Sequence, residues 1–263
     1  MAIKKHDIKE IVDFFDNQAT AWFERYHKTQ QANDLVILDR MNIAIEFMRS
    51  RLAPGSRIFD VGCGPGVVAL HLAQQGYRVN GIDISRNMIN LCQKTLAEMP
   101  AVNDQHAFTV ANFIEIDFDE GSFDGIITLG FLEFQENEIS VLKKFHEILK
   151  PGGVLVISGP MKLALTELFG IRNISRSLVF AACGRGISPP KNYYSLSRLS
   201  RLLSQVGFKV LDHKRHGFAS FPFISKIIGL KGEILLGRFL ENLANVLPLK
   251  AFCSDIIMIA EKK

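Results

Sequence analysis

Two carboxylates, Asp60 and Asp83, bracket three glycines, Gly62, Gly64 and Gly66, in the stretch RIFDVGCGPGVVALHLAQQGYRVNGIDIS at 57–85. One apolar run ends at Asp60 and a second ends at Asp83, so both acids stand at strand tips. An acid at the second tip can accept both hydroxyls of a ribose. Glycines let backbone N–H groups approach a ligand, and a helix that starts near Gly66 adds the positive end of its dipole. A tight structural turn explains the glycines alone; the terminal acid makes the combination a ligand loop. Dinucleotide loops follow G-x-G-x-x-G. Here the glycines run GCGPG with Asp60 just ahead, which repels a pyrophosphate and attracts an ammonium group. The loop asks for a ligand with a ribose and a cation.

Holding those residues in place takes alternating strands and helices. Residues 7–30 and 32–52 read as helices, the second with Leu35, Leu38, Ile45 and Met48 at spacings near three and four. After APGS at 53–56 come strand 57–61, helix 66–75, strand 78–82 and helix 86–98, the last capped by Asp83 and Ser85. Strands follow at 106–111 and 123–129, then helix 138–149 ended by KPGG, then strand 153–158. A helix at 195–205 and strands at 207–213 and 254–261 close the chain, the two strands including an antiparallel hairpin. The alternation implies an α/β fold, a mostly parallel seven-stranded sheet with helices on both faces. Residues 1–52 form an N-terminal helical cap segment, and 53–263 the main domain with apolar insertions at about 159–192 and 217–250. The first insertion leaves a parallel strand at its C-terminal end. The second starts at the opposite edge if its own strand is the antiparallel one.

S-adenosylmethionine carries a ribose, an α-amino group and a sulfonium. IFDVGCGPG, GIDIS, DEGSFDGIITLGFLEF and LKPGGVLVIS resemble, in order and spacing, the class I S-adenosylmethionine-dependent methyltransferases. The resemblance is strong over about 57–158 and weaker in YYSLSRLSRLLSQVGFKVLDHKR at 193–215, and it is closest to the branch that methylates small molecules. It implies a Rossmann-like class I methyltransferase fold with an α-helical cap, S-adenosylmethionine as cofactor and S-adenosylhomocysteine as its product. It implies that Asp60 binds the methionine ammonium and that Gly62, Cys63, Gly64 and Gly66 pack against the methionine and ribose. Asp83 would hold the ribose hydroxyls, and Ile84 and Met88 would sandwich the adenine. Asn112–Phe113 stands where the family often has Asp and a small residue; Asn still reaches the adenine amino group through its side-chain oxygen. Leu129 and Gly130 would line the methyl-transfer site. In AWFERYHK, Trp22 and Tyr26 would shield the methionine end, as an aromatic N-terminal helix does in several relatives, and Arg25 would meet its carboxylate.

Methyl transfer is an in-line displacement, so the protein mainly aligns the nucleophile and excludes water. A base helps when the acceptor is a hydroxyl of high pKa. The candidates are Glu133 and, in LDHKRHGF, His213 and His216, near where family members place substrate residues. Phe134 replaces the His that many relatives carry after this Glu, which removes the handiest base or metal ligand. H-x-x-H alone is a poor metal motif, and no metal is expected. His6, His27, His71, His106 and His146 read as ordinary.

The net charge of +4 does not argue for nucleic acid, whose binders concentrate basic residues in a patch. The four cysteines show no CxxC pair, which fits a reducing compartment. MAIKKHDIKEIVDFFDNQ lacks the apolar core of a signal peptide, and no run approaches the ~20 apolar residues of a membrane span, so a cytoplasmic location is expected. Yet 48% of residues are hydrophobic, 20 of them Phe, and the mean hydropathy is +0.14. The insertions carry much of this, with Phe221, Phe223, Ile227, Ile228, Leu235, Leu236, Phe239 and Leu240 beside Lys226, Lys231 and Arg238. They suit a lid, a greasy pocket for a small apolar or aromatic acceptor, or a peripheral surface lying on a membrane. The leading reading is O-methylation of such an acceptor. Its rivals are a non-catalytic S-adenosylmethionine-binding protein, which a blocked acceptor cavity would favour, and a nicotinamide oxidoreductase, which GCGPG disfavours.

Overall fold

The computed structural model describes residues 7–28, 32–99, 106–161, 189–217, 224–246 and 253–263. Seven strands form one sheet: β1 (Arg57–Val61), β2 (Arg78–Asp83), β3 (Ala107–Val110), β4 (Phe123–Leu129), β5 (Leu149–Pro160), β6 (Phe208–His216) and β7 (Asp255–Lys262). Their order is β3-β2-β1-β4-β5-β7-β6. β1 to β5 pair in parallel, and β7 runs antiparallel between β5 and β6. The central strands are apolar without alternation because helices cover both faces. Phe59, Leu155 and Ile157 enter one core, and Ile58, Ile127, Val154 and Val156 enter the other.

The described helices are α1 (Ile8–His27), α2 (Ala32–Arg49), α3 (Val67–Gln74), α4 (Arg86–Ala97), α5 (Glu138–Ile148), α6 (Leu196–Gln205) and α7 (Ile224–Val246). α2, α3 and α4 bury Met48, Leu72 and Ile89 against one face of the sheet; α5 and α6 bury Phe145 and Leu199 against the other. Ser85 caps α4 by accepting from the Met88 N–H at 3.1 Å, as its position before an amphipathic run predicts. Within the described residues the expected elements are present, with ends moved by a few residues. The main change is β5, which starts at Leu149 so that KPGG lies within the strand's irregular first stretch.

The expected antiparallel pairing of the last two strands is present, but its consequence for the second insertion is reversed. β5 and β6 both run antiparallel to β7, so β6 points the same way as the parallel strands. Residue 217 therefore leaves from the C-terminal edge of the sheet, the edge that holds the glycine loop. Residues 162–188 of the first insertion, together with Phe221 and Phe223, lie outside the described residues.

Candidate active site

The chain turns from β1 into α3 through Gly62 (φ 74°), Gly64 (φ 54°) and Gly66 (φ 76°), backbone angles that an L side chain rarely adopts. A Cβ on Gly62 would stand 3.1 Å from Phe131, whereas one on Gly66 would overlap the Cys92 thiol. The first glycine thus makes room for Phe131 and the last for the packing of α4, while Gly64, whose nearest neighbour would be Met88 Sδ at 3.9 Å, faces the open side of the loop. The Gly64 N–H donates to Asp83 Oδ2 at 2.8 Å, and the Ser85 N–H donates to Oδ1 at 2.9 Å. A carboxylate has about four acceptor sites, so these bonds orient Asp83 without exhausting it. Burial still pushes its carboxyl up to about 6, against the pull of the backbone donors.

Asp60 is 3% exposed and lines the same cavity one strand over. Burial, and then the Asp83 charge, push its carboxyl up to about 8. No described side chain pairs with it. A buried acid aimed at a cavity without a counter-charge is a ready partner for a ligand's ammonium group.

The cavity holds about 600 Å³ and runs along the tips of β1, β2 and β4. α1 roofs it with Ile11, Phe14, Phe15 and Trp22. That roof is tied down at Asp16, whose Oδ1 accepts from Ser85 Oγ at 2.6 Å and from the Asn87 N–H at 3.0 Å. Asn87 Nδ2 returns a bond to the Asp16 carbonyl at 3.1 Å. Phe15 also meets Phe134 edge-on at 5.3 Å.

Past Gly130 the cavity ends in charged groups. A Cβ at Gly130 would lie 3.3 Å from Arg40 Nη1 and 3.6 Å from Glu133 Oε1, so both side chains reach over this glycine. Arg40 hydrogen-bonds Tyr26 and feels Asp255 and Glu133. Glu133 is 4% exposed; burial raises its carboxyl, which Lys191 and Arg40 partly offset. Lys191 Nζ is 3.7 Å from its Oε1, while Oε2 and Arg40 Nε have no hydrogen-bond partner. Asn192 pins this wall, donating its N–H to the Glu133 carbonyl at 2.7 Å and its Nδ2 to the Gln135 carbonyl at 2.8 Å.

Residues 38–213 match the model of a methyltransferase-domain family. The chain belongs to this family. The methyltransferase has the class I fold. It is 27% identical over 198 residues to the ubiquinone biosynthesis O-methyltransferase of Pseudomonas aeruginosa, spanning 75% of this chain and 82% of that one. It is 29% identical over 254 residues to the O-methyltransferase cnsE of Penicillium expansum, spanning 92% and 87%. Among solved structures, the magnesium protoporphyrin IX methyltransferase of Synechocystis with bound S-adenosylhomocysteine superposes with a TM-score of 0.69 at 17% identity, over 97% of this chain and 99% of that one.

Most of the residues picked out in the sequence meet in this methyltransferase's cavity: Trp22, Arg25, Tyr26, Asp60, Gly62, Cys63, Gly64, Asp83, Ile84, Met88, Asn112, Phe113, Leu129, Gly130 and Glu133 all line it. Gly66, His213 and His216 do not. The two histidines are three apart on β6, and an odd spacing on a strand sends side chains to opposite faces. Arg25 lines the wall but lies 3.7 Å from the buried Asp34 and 4.9 Å over Trp22, so it is already engaged. Asn112 donates to Glu115 at 2.8 Å and accepts weakly from the Ile114 N–H at 3.3 Å. Arg40, Lys191 and Asp255 were missed. The described part of the second insertion, α7, lends no lining residue; the roof is built by α1 and the first turns of α2.

Proposed function

We propose that the protein O-methylates a small, apolar or aromatic, hydroxyl-bearing acceptor held between the α1 roof and Glu133. When bound, S-adenosylmethionine supplies a methyl group already activated by positive sulfur. Asp83 accepts the ribose hydroxyls and Asp60 faces the methionine ammonium. Ile84, Met88 and Phe113 line the adenine end. Arg40 replaces Arg25 as the cation for the methionine carboxylate, because its guanidinium stands over Gly130 with Nε unpartnered. The acceptor lies against Phe15, Trp22 and Phe134, and its hydroxyl donates to Glu133 Oε2. Burial makes Glu133 a stronger base than a surface carboxylate, and Lys191 steadies the charge that develops beside it. The observation that carries this reading is the run of one cavity from two acids without a counter-charge at the strand tips to a buried carboxylate with a vacant acceptor oxygen. The relatives named O-methyltransferases support the same class of reaction.

The test incubates the protein with methyl-labelled S-adenosylmethionine and a panel of phenols and quinols, with product read by mass spectrometry. Asp83→Ala should weaken the cofactor and its demethylated product by about 10- to 100-fold, the cost of a charge-assisted bond of ~1.5–3 kcal/mol. Glu133→Gln should lower kcat by about 100-fold or more with cofactor affinity unchanged. Unchanged cofactor affinity in Asp83→Ala would reject the ribose assignment, and full activity in Glu133→Gln would remove it as the base.

A further inference from the structure

The guanidinium of Arg40, an α2 residue, reaches over Gly130, where an added Cβ would stand 3.3 Å from Nη1 and 3.9 Å from Cζ. Burial disfavours its charge, and Tyr26, Asp255 and Glu133 restore it. The two acids stand at the far end of the cavity, Glu133 just past β4 and Asp255 at the start of β7. Tyr26 comes from α1 and hydrogen-bonds the guanidinium with a neutral hydroxyl. It is also near enough to Asp60 to feel that carboxylate, so it stands on the methionine side. Arg40 Nε is buried and has no hydrogen-bond partner. Arg25, the residue before Tyr26, is engaged elsewhere, 3.7 Å from Asp34.

A phenol beside a guanidinium has three uses: base, shield or anchor. As a base it is poor here, because burial raises its pKa above the ordinary value despite the pull of Arg40, and it stays protonated at neutral pH. As a shield the ring would suffice without its hydroxyl, and Trp22, one turn earlier on α1, already lines the cavity. The hydroxyl is left to anchor the cation. A guanidinium only donates, so the phenol oxygen accepts from it. An arginine side chain loses much rotamer freedom when it is ordered. A partner that orders it in the free protein removes that cost from ligand binding. Glu133 and Asp255 draw the guanidinium away from the strand tips, and the Tyr26 hydroxyl draws it back. We propose that Tyr26 is a positioning residue whose hydroxyl holds the Arg40 guanidinium toward the methionine end of the cavity, and thereby sets how strongly the protein selects a cofactor that keeps its carboxylate. The role rests on Arg40 being the cation for the methionine carboxylate, as proposed above.

The experiment is calorimetric titration of the full chain with S-adenosylhomocysteine and with its decarboxylated analogue, which keeps the amine and lacks the carboxylate. The wild type should bind S-adenosylhomocysteine about 10- to 100-fold more tightly than the analogue. Tyr26→Phe, which keeps the ring, should lose about 5- to 10-fold on S-adenosylhomocysteine and less than about twofold on the analogue. Its retained affinity for the analogue shows that it folds. Arg40→Met should bind both ligands alike, within about threefold, and adding Tyr26→Phe to it should cost nothing more. Equal losses on both ligands in Tyr26→Phe, or no loss on either, overturn the proposal. So does a further loss when the two substitutions are combined. An Arg40→Met that discriminates between the ligands as the wild type does removes Arg40 from the carboxylate, and the role of Tyr26 falls with it. A lost discrimination in Arg40→Met beside an unchanged Tyr26→Phe overturns the positioning role alone.

Discussion

Asp60 keeps its proton at neutral pH in the ligand-free protein, because burial and then Asp83 hold its carboxyl at about 8. In an unfolded chain the same group titrates near ~3.9. The folded pKa is the higher, so the stability this group contributes is complete below about pH 4 and is lost as the pH rises to about 8, on the order of several kcal/mol. Asp60→Asn removes the titration and keeps the shape. Melts of the two ligand-free proteins should therefore separate from pH 5 to pH 8, the variant melting higher, and the gap should stay constant above pH 8. The variant should also bind S-adenosylhomocysteine more weakly at every pH. A variant that melts below the wild type at pH 8 would mean that Asp60 has a counter-charge in the free protein. Stability and ligand binding thus conflict at one residue, which is common where a site must stay ready for a charged ligand.

At the scale of elements, α1 is a roof whose C-terminal half is tied to α2 through Tyr26–Arg40 and Arg25–Asp34, and whose N-terminal half is tied to α4 through Asp16. Ala19 is its only fully buried residue, and the clamp is Asp16 at the N-terminus of α4, where a carboxylate also meets the positive helix end. Asp16→Ala should release S-adenosylhomocysteine about 5- to 30-fold faster, for a loss of ~1–2 kcal/mol across partly exposed bonds. Stopped-flow displacement checks this, and an unchanged off-rate would mean that the ties to α2 suffice to hold the roof. The β-strand tips were legible in the sequence because apolar runs stop abruptly at Asp60, Asp83 and Gly130. Arg40 had a signal that periodicity could have exposed, since Val36, Arg40, Ala44 and Met48 recur every fourth residue on a helix and three of them are buried. A charge inside such a stripe marks a polar cavity beneath it. Lys191 and Asp255 had none. Asp255 reaches the site because β7 runs antiparallel to β5 and so starts at the C-terminal edge, and Lys191 because its neighbour Asn192 is bonded to the Glu133 and Gln135 carbonyls; both placements follow from pairing across the chain rather than from any local pattern.

For the whole molecule, the question is whether roof and sheet unfold as one unit. The chain has 1 tryptophan, Trp22, and it stands in α1 on the cavity wall. Its fluorescence reports the roof alone, whereas far-ultraviolet circular dichroism reports all the helices and strands. The sheet is closed by two cores with many fully buried side chains, while α1 adds little to either. Elements with few buried apolar contacts open at lower free energy than the core. In the ligand-free protein the Trp22 transition should therefore come first, several degrees below the dichroism transition. A ligand that touches Asp83, Asp60 and α1 together links roof to sheet. At about 100 times its Kd it stabilises the folded state by ~2.7 kcal/mol. At ~2–4 °C per kcal/mol for a domain of this size, the main transition should rise by about 5–10 °C. With saturating S-adenosylhomocysteine the two probes should then coincide. Probes that coincide without ligand would make α1 part of the cooperative core. A gap that persists with ligand would place the bound molecule on the strand tips alone, out of reach of the roof.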